Sequence, residues 1–235
     1  MGVFHLMGLG RSPGAIIGPI TYLAHRYQRW NDDDKKFFSG SGEAAHREKG
    51  QKTGDIQALV FFTTKEVLTA YDEVNQRDFL SYSFIDNRAG FLEEKPPENG
   101  QPMKDVLRTF LKKELPGICG GRQKCNLFWC EIDLRDIKLT YSRVIQVVAA
   151  LRSVGGQGKE MWANLTGGNN VVNFALQLAA TLSGDVARLY YVQAKNRIAE
   201  MSIRFTSEED YWVELPVMPL ALSRLNHAIL EVIQS

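Results

Sequence analysis

Two short stretches of this chain hold the residue types needed to grip an anion. The first is Gly8-Leu9-Gly10-Arg11-Ser12-Pro13-Gly14, directly after an apolar run. Glycines at a strand-to-helix turn let backbone amides approach a negatively charged group, and the following helix start adds favourable partial charge. Arg11 contributes a forked donor and Ser12 a hydroxyl. The second is Trp162-Ala163-Asn164-Leu165-Thr166-Gly167-Gly168-Asn169-Asn170-Val171-Val172-Asn173. Here an apolar strand ends in Thr-Gly-Gly, and the asparagines that follow are good helix caps. Both loops are free of acidic side chains, which suits an anionic ligand with hydroxyls and base edges to satisfy. A tight turn alone would also explain the first stretch, and an asparagine cap alone the second.

Other chemistry is less well supplied. The first loop departs from the dinucleotide fingerprint, because Pro13 stands where the third glycine belongs and Gly14 comes one residue late. The second strand ends in Thr63-Thr64, where a nicotinamide-binding fold places an acid for the ribose. An NAD(P)-binding oxidoreductase is therefore the third-ranked reading. Cys119, Cys125 and Cys130 lack zinc-ribbon spacing and have no histidine beside them, so they read as reduced thiols and no metal is expected. No cofactor is implied.

The elements that must position the two loops follow from apolar periodicity. Runs at Val3–Leu9, Ile56–Thr63, Asn126–Ile132, Met161–Leu165 and Val186–Gln193 read as strands. Helices are expected over Ala15–Trp30, Lys65–Asn75, Pro102–Leu115, Thr140–Val154 and Asn170–Leu182. This alternation predicts an α/β, Rossmann-like, mainly parallel sheet flanked by helices. In such sheets ligands bind at the carboxyl edge of the strands, where both glycine loops would lie. Asn31–Asp55 reads as a polar surface loop or hairpin. Met201–Phe205 and Tyr211–Leu215 are expected to pair as a C-terminal hairpin, followed by a helix from Pro219. Residues 1–197 then form the ligand-sensing domain, and 198–235 form a hairpin plus helix that could link to an effector.

Composition narrows the partners. With 28 basic and 27 acidic residues the net charge is +1, so no overall field points to DNA or to an anionic membrane. Hydrophobic residues make up 44% of the chain, enough for a sizeable core, but no run approaches a membrane span. A cytoplasmic location is expected, without a targeting segment.

The segment Asn164 to Ala175 resembles the signature loop of CARF domains, the CRISPR-associated Rossmann-fold sensors, and Gly8–Gly14 is similar to their N-terminal ligand loop. The resemblance takes in residues 1–195 and is firm at these two motifs. It implies a homodimer that binds a cyclic oligoadenylate in type III CRISPR antiviral signalling and regulates an attached or partner effector. By the same resemblance Gly10, Arg11, Ser12, Thr166, Gly167, Gly168, Asn169 and Asn170 would line the ligand site. The family often carries a lysine or asparagine after the glycines; here Asn169-Asn170 stand there, and a cationic contact is missing. A HEPN ribonuclease, found in many relatives, is not expected, since no arginine stands at the required distance before His5, His25, His46 or His227. A stand-alone, metal-independent ring nuclease is the alternative. There the ribose 2′-hydroxyl would attack the adjacent phosphorus, and Ser12, Arg11 and Lys195 would be the catalytic groups. Because the second loop is taken to lie outside the core, Gly168→Asp is expected to abolish binding and leave the fold intact.

Overall fold

The computed structural model of the 235-residue chain describes residues 2–10, 14–38, 54–68, 82–83, 93–94, 103–114, 125–155, 160–193, 212–217 and 232. In chain order the elements are β1 (Gly2–Gly8), α1 (Gly14–Arg29), α2 (Asp32–Phe38), β2 (Asp55–Thr63), α3 (Lys65–Leu68), β3 (Tyr82–Ser83), β4 (Glu93–Glu94), α4 (Met103–Glu114), β5 (Asn126–Glu131), α5 (Ile137–Gly155), β6 (Glu160–Asn164), α6 (Asn170–Ser183), β7 (Val186–Val192) and β8 (Trp212–Leu215). Six strands form the main sheet in the order β5-β2-β1-β6-β7-β8, while β3 and β4 pair separately. Counting only the main-sheet strands, this is the third-second-first-fourth-fifth-sixth order of doubly wound nucleotide-binding folds. The five strands from β5 to β7 are parallel and β8 is antiparallel to β7. The fold is therefore α/β and Rossmann-like, as the periodicity predicts.

The chain winds outward from β1 to β2 and β5, then returns to the other side of β1 for β6. That reversal places β1 and β6 side by side, with Leu6 beside Ala163 and Met7 beside Asn164. Both strands are buried throughout, as expected of central parallel strands covered on two faces. One face packs Val3, Met7, Leu59, Phe61 and Trp162 beneath α1, α2 and α4. The other packs Leu6, Val60, Ala163, Val144, Val148 and Leu176 beneath α5 and α6.

The first face holds most of the polar groups of the core. His5 is fully buried, with its Nδ1 3.1 Å from the Tyr190 hydroxyl and its ring edge-on to Trp162. Arg188 lies over the Trp162 ring at 4.4 Å and 3.2 Å from Glu214 on β8. Tyr190 and Trp212 stack at 4.0 Å, so β8 is held by aromatic contact as well as by its ladder.

Two regions differ from the sequence expectation. Part of Asn31–Asp55, read as a polar surface loop or hairpin, is helical: Asp32–Phe38 forms α2 and Asp55 already belongs to β2. The cause is Asp34, whose side chain is fully buried and accepts two 2.7 Å bonds from Arg29, with Arg26 at 3.7 Å. The Arg29 bond holds the Asp34 carboxyl below the usual carboxylate range. Phe38, at the end of the same helix, packs on Trp162. The charged run is thus a solvated face with one acid and one aromatic turned inward. At the C-terminal end, Trp212–Leu215 pairs with β7 and extends the main sheet; its expected hairpin partner, Met201–Phe205, lies outside the described residues, as does the helix expected from Pro219 apart from Val232. Cys125 and Cys130 are half-buried, Cys130 is a free thiol, and Cys119 lies outside the described residues.

Burial, helped by the Arg188 charge, pushes the His5 imidazole down to about 3, so it is neutral at physiological pH. The unfolded chain takes up a proton near pH 6.5 that the folded chain refuses, so stability is full above pH 6.5 and falls as pH drops from there towards 3. Denaturant midpoints measured across that window should decline in the wild type, and less steeply in His5→Gln.

Candidate functional site

The two glycine loops meet at the carboxyl edge, where β1 and β6 end side by side. Their contact is backbone on backbone. A β-carbon on Gly8 would stand 2.9 Å from the Gly168 Cα, and one on Gly168 would stand 2.7 Å from the Gly8 Cα. A β-carbon on Gly167 would meet the Gly8 carbonyl oxygen at 2.7 Å and the Ala15 Cβ at 3.1 Å. Gly168 also has φ +83°, a conformation that only glycine adopts cheaply. The Gly-Gly pair is thus required by close approach of two loops.

Side-chain hydrogen bonds complete the join. Asn164, fully buried at the end of β6, accepts from the Thr166 amide at 2.8 Å, and its Nδ2 reaches the Ala15 carbonyl at 3.5 Å. That carbonyl is available because Pro19, four residues on within α1, has no N–H to donate to it. The Thr166 hydroxyl accepts from the Val192 amide at 2.8 Å, which ties the loop to the end of β7. Asn169 caps α6, its Oδ1 accepting from the Val171 and Val172 amides at 2.9 and 3.2 Å. Asn173 donates to the Leu165 carbonyl at 3.1 Å. On the other side the Thr63 hydroxyl donates to the Leu9 carbonyl, and the Leu9 amide donates to Phe62, both at 2.9 Å.

A cleft of about 740 Å³ opens beside this join. Leu9 and Gly10 form one wall with Gly168, Asn169 and Val172; Thr64, Lys65, Glu131, Asp133 and Arg135 stand on the opposite side. Of the residues the sequence singles out, Gly10, Gly168 and Asn169 face the cleft. Thr166 engages β7, Gly167 is packed between Gly8 and Ala15, and Asn170 is exposed at the start of α6. Arg11, Ser12 and Lys195 lie outside the described residues.

The charged wall escapes a loop-by-loop reading. Freedom from acid holds for the two glycine loops and fails for the cleft, because Glu131 and Asp133 enter from the end of β5. The signal was present: Glu131-Ile132-Asp133-Leu134-Arg135 follows a parallel strand, and parallel strands bring all their carboxyl ends to one edge. Asp133 is partly committed, since its Oδ1 accepts from the Arg135 amide at 2.9 Å.

The expectation for Gly168→Asp needs correction, because the residue is part of the packing between two central strands and any β-carbon strikes the Gly8 backbone. Gly168→Ala should cost about 2 kcal/mol or more in stability, from the left-handed backbone and the clash together. Gly10→Ala meets nothing closer than 4.0 Å and should leave the melting temperature nearly unchanged. Thermal melts of the two variants, side by side, check this contrast.

No protein-family model matches the chain. An uncharacterised protein of Archaeoglobus fulgidus is 26% identical over 228 residues, in an alignment that takes in 92% of this chain and 62% of the relative. Among solved structures, Enterococcus italicus Csm6 bound to cyclic hexa-2′-fluoro-hexa-dAMP is similar with a TM-score of 0.46 and 13% identity, over 99% of this chain and 45% of that one. The chain spans less than two thirds of the length of either protein. Among the described residues no helix is long and apolar enough to cross a membrane.

Proposed function

We propose that this chain is a CARF-type sensor of type III CRISPR antiviral signalling, which binds a cyclic oligoadenylate across a homodimer and regulates an attached or partner effector. One observation carries the reading. The two sequence motifs that resemble the family's ligand loops, although about 155 residues apart in the chain, converge on a single cleft at the point where strand order reverses. A motif resemblance that had placed the loops on different edges would have lost its meaning.

The chemistry of the cleft suits a nucleotide with spread-out charge. Gly10 leaves open space along one wall, and the start of α6 supplies favourable partial charge close to Asn169. Lys65 and Arg135 add cations opposite. Arg11 and Ser12, next to Gly10 in sequence, supply the forked donor and hydroxyl of the ligand loop. A ring with two-fold symmetry is matched by two copies of such a cleft around a two-fold axis. In this reading residues 1–197 sense the ligand and 198–235 lead towards the effector, with β8 carrying that segment into the same sheet.

Calorimetry should detect cyclic oligoadenylate binding and no NAD binding. Gly10→Asp, which sets bulk and negative charge in open space, should weaken the ring by tenfold or more while the melting temperature holds. NAD binding with no ring binding overturns the proposal. Sedimentation in the presence of the ring should give the mass of two chains; a monomer under all conditions refutes the shared site.

A further inference from the structure

Glu131 stands at a distinctive place in the cleft. It ends β5 directly beside Thr63, in register, and one strand further out than the position where nucleotide-binding folds of this strand order carry a ribose acid. Thr63 cannot take that role, because its hydroxyl is spent on the Leu9 carbonyl. Beneath the two residues on the same face lie Phe61 and Trp129, also in register, stacked at 4.7 Å. Asp133, the other acid of this wall, is drawn into its own turn by the Arg135 amide. Among the described residues no hydrogen bond or ion pair holds the Glu131 carboxylate, which stands exposed at the cleft.

We propose that Glu131 is the sugar-selecting residue of the cleft, accepting a hydrogen bond from a ribose 2′-hydroxyl and so favouring ribonucleotides over 2′-deoxyribonucleotides. The inference rests on the nucleotide reading of the site and deepens it. A carboxylate accepts and does not donate, so it rewards a hydroxyl and repels phosphate. The cleft is thereby divided: phosphates are drawn to the side of Gly10 and the α6 start, and the sugar is turned towards β5. Lys65 and Arg135 line the same cleft, and their charges keep it from repelling the ligand as a whole.

The test compares cyclic oligoadenylate with its 2′-deoxy counterpart on wild type, Glu131→Ala and Glu131→Gln, with AMP and dAMP as a second pair. Wild type should prefer the ribose ring by about tenfold or more, the scale of one hydrogen bond to a charged group. Glu131→Ala should bring that ratio near one by weakening the ribose ring and sparing the deoxy ring, and Glu131→Gln should fall between. Unchanged melting temperatures exclude a folding defect, since Glu131 is exposed. A ratio that survives in Glu131→Ala overturns the proposal. If wild type binds neither ring, the sensor reading fails, and the AMP pair then decides: a Glu131-dependent preference for AMP upholds the sugar role, and its absence refutes it.

Discussion

Everything at the carboxyl edge depends on two loops being allowed to touch through their backbones. Gly8 closes β1 and Gly167-Gly168 follow β6, with separations that leave no room for a β-carbon on any of the three. This contact sets where α6 begins, since Asn169 caps it one residue after the touching point. It also sets where α1 begins, because Gly167 abuts Ala15 and Asn164 reaches the same residue's carbonyl. The glycines that look like a phosphate cradle in sequence are therefore a structural joint first. The space available to a ligand lies beside that joint, along Gly10.

The opposite sides of the cleft have different electrical characters for topological reasons. The switch-point side is made of backbone and neutral side chains, because two loops in van der Waals contact cannot accommodate desolvated charge. The β2–β5 side lies further out in the sheet, where side chains meet solvent and charges cost little. Within the core the reverse economy holds. His5 is neutral, Asp34 is met by two guanidinium groups, and Arg188 sits against Trp162 with Glu214 beside it. Each of these three groups is answered by a charge partner or by the loss of its own charge.

How much was legible in the sequence follows from the range of the forces involved. The five parallel strands and their helices are written in apolar runs and periodicity, a local signal, and the two glycine loops stand out by local composition. Their meeting was implied by parallel strand geometry. What escaped were features fixed by partners far away in sequence. Asp32-Asp33-Asp34-Lys35-Lys36 looks like a solvated run, and only the placement of Arg26 and Arg29 on α1 draws Asp34 inward. The demand at Gly168 comes from Gly8, 160 positions earlier, so a reading confined to the Thr-Gly-Gly turn does not see the packing constraint. Glu131 lies in neither glycine motif, although its place at the end of a parallel strand marks it. The antiparallel docking of β8 is set by Trp212 stacking on Tyr190 and by the Glu214–Arg188 pair, which no local pattern announces.

The aromatic layer has a consequence for spectroscopy. All four tryptophans lie on the α1–α2–α4 side of the sheet: Trp162 within that cluster, and Trp30, Trp129 and Trp212 packed against it. The cluster beneath α5 and α6 contains none. Tryptophan fluorescence therefore watches one half of the molecule, and Trp212 places the undocking of β8 inside that signal. Loosening confined to α5 and α6 would pass unseen in the tryptophan emission while remaining visible to far-ultraviolet dichroism. A mismatch between those two optical traces would reveal that the halves of this sheet do not come apart together.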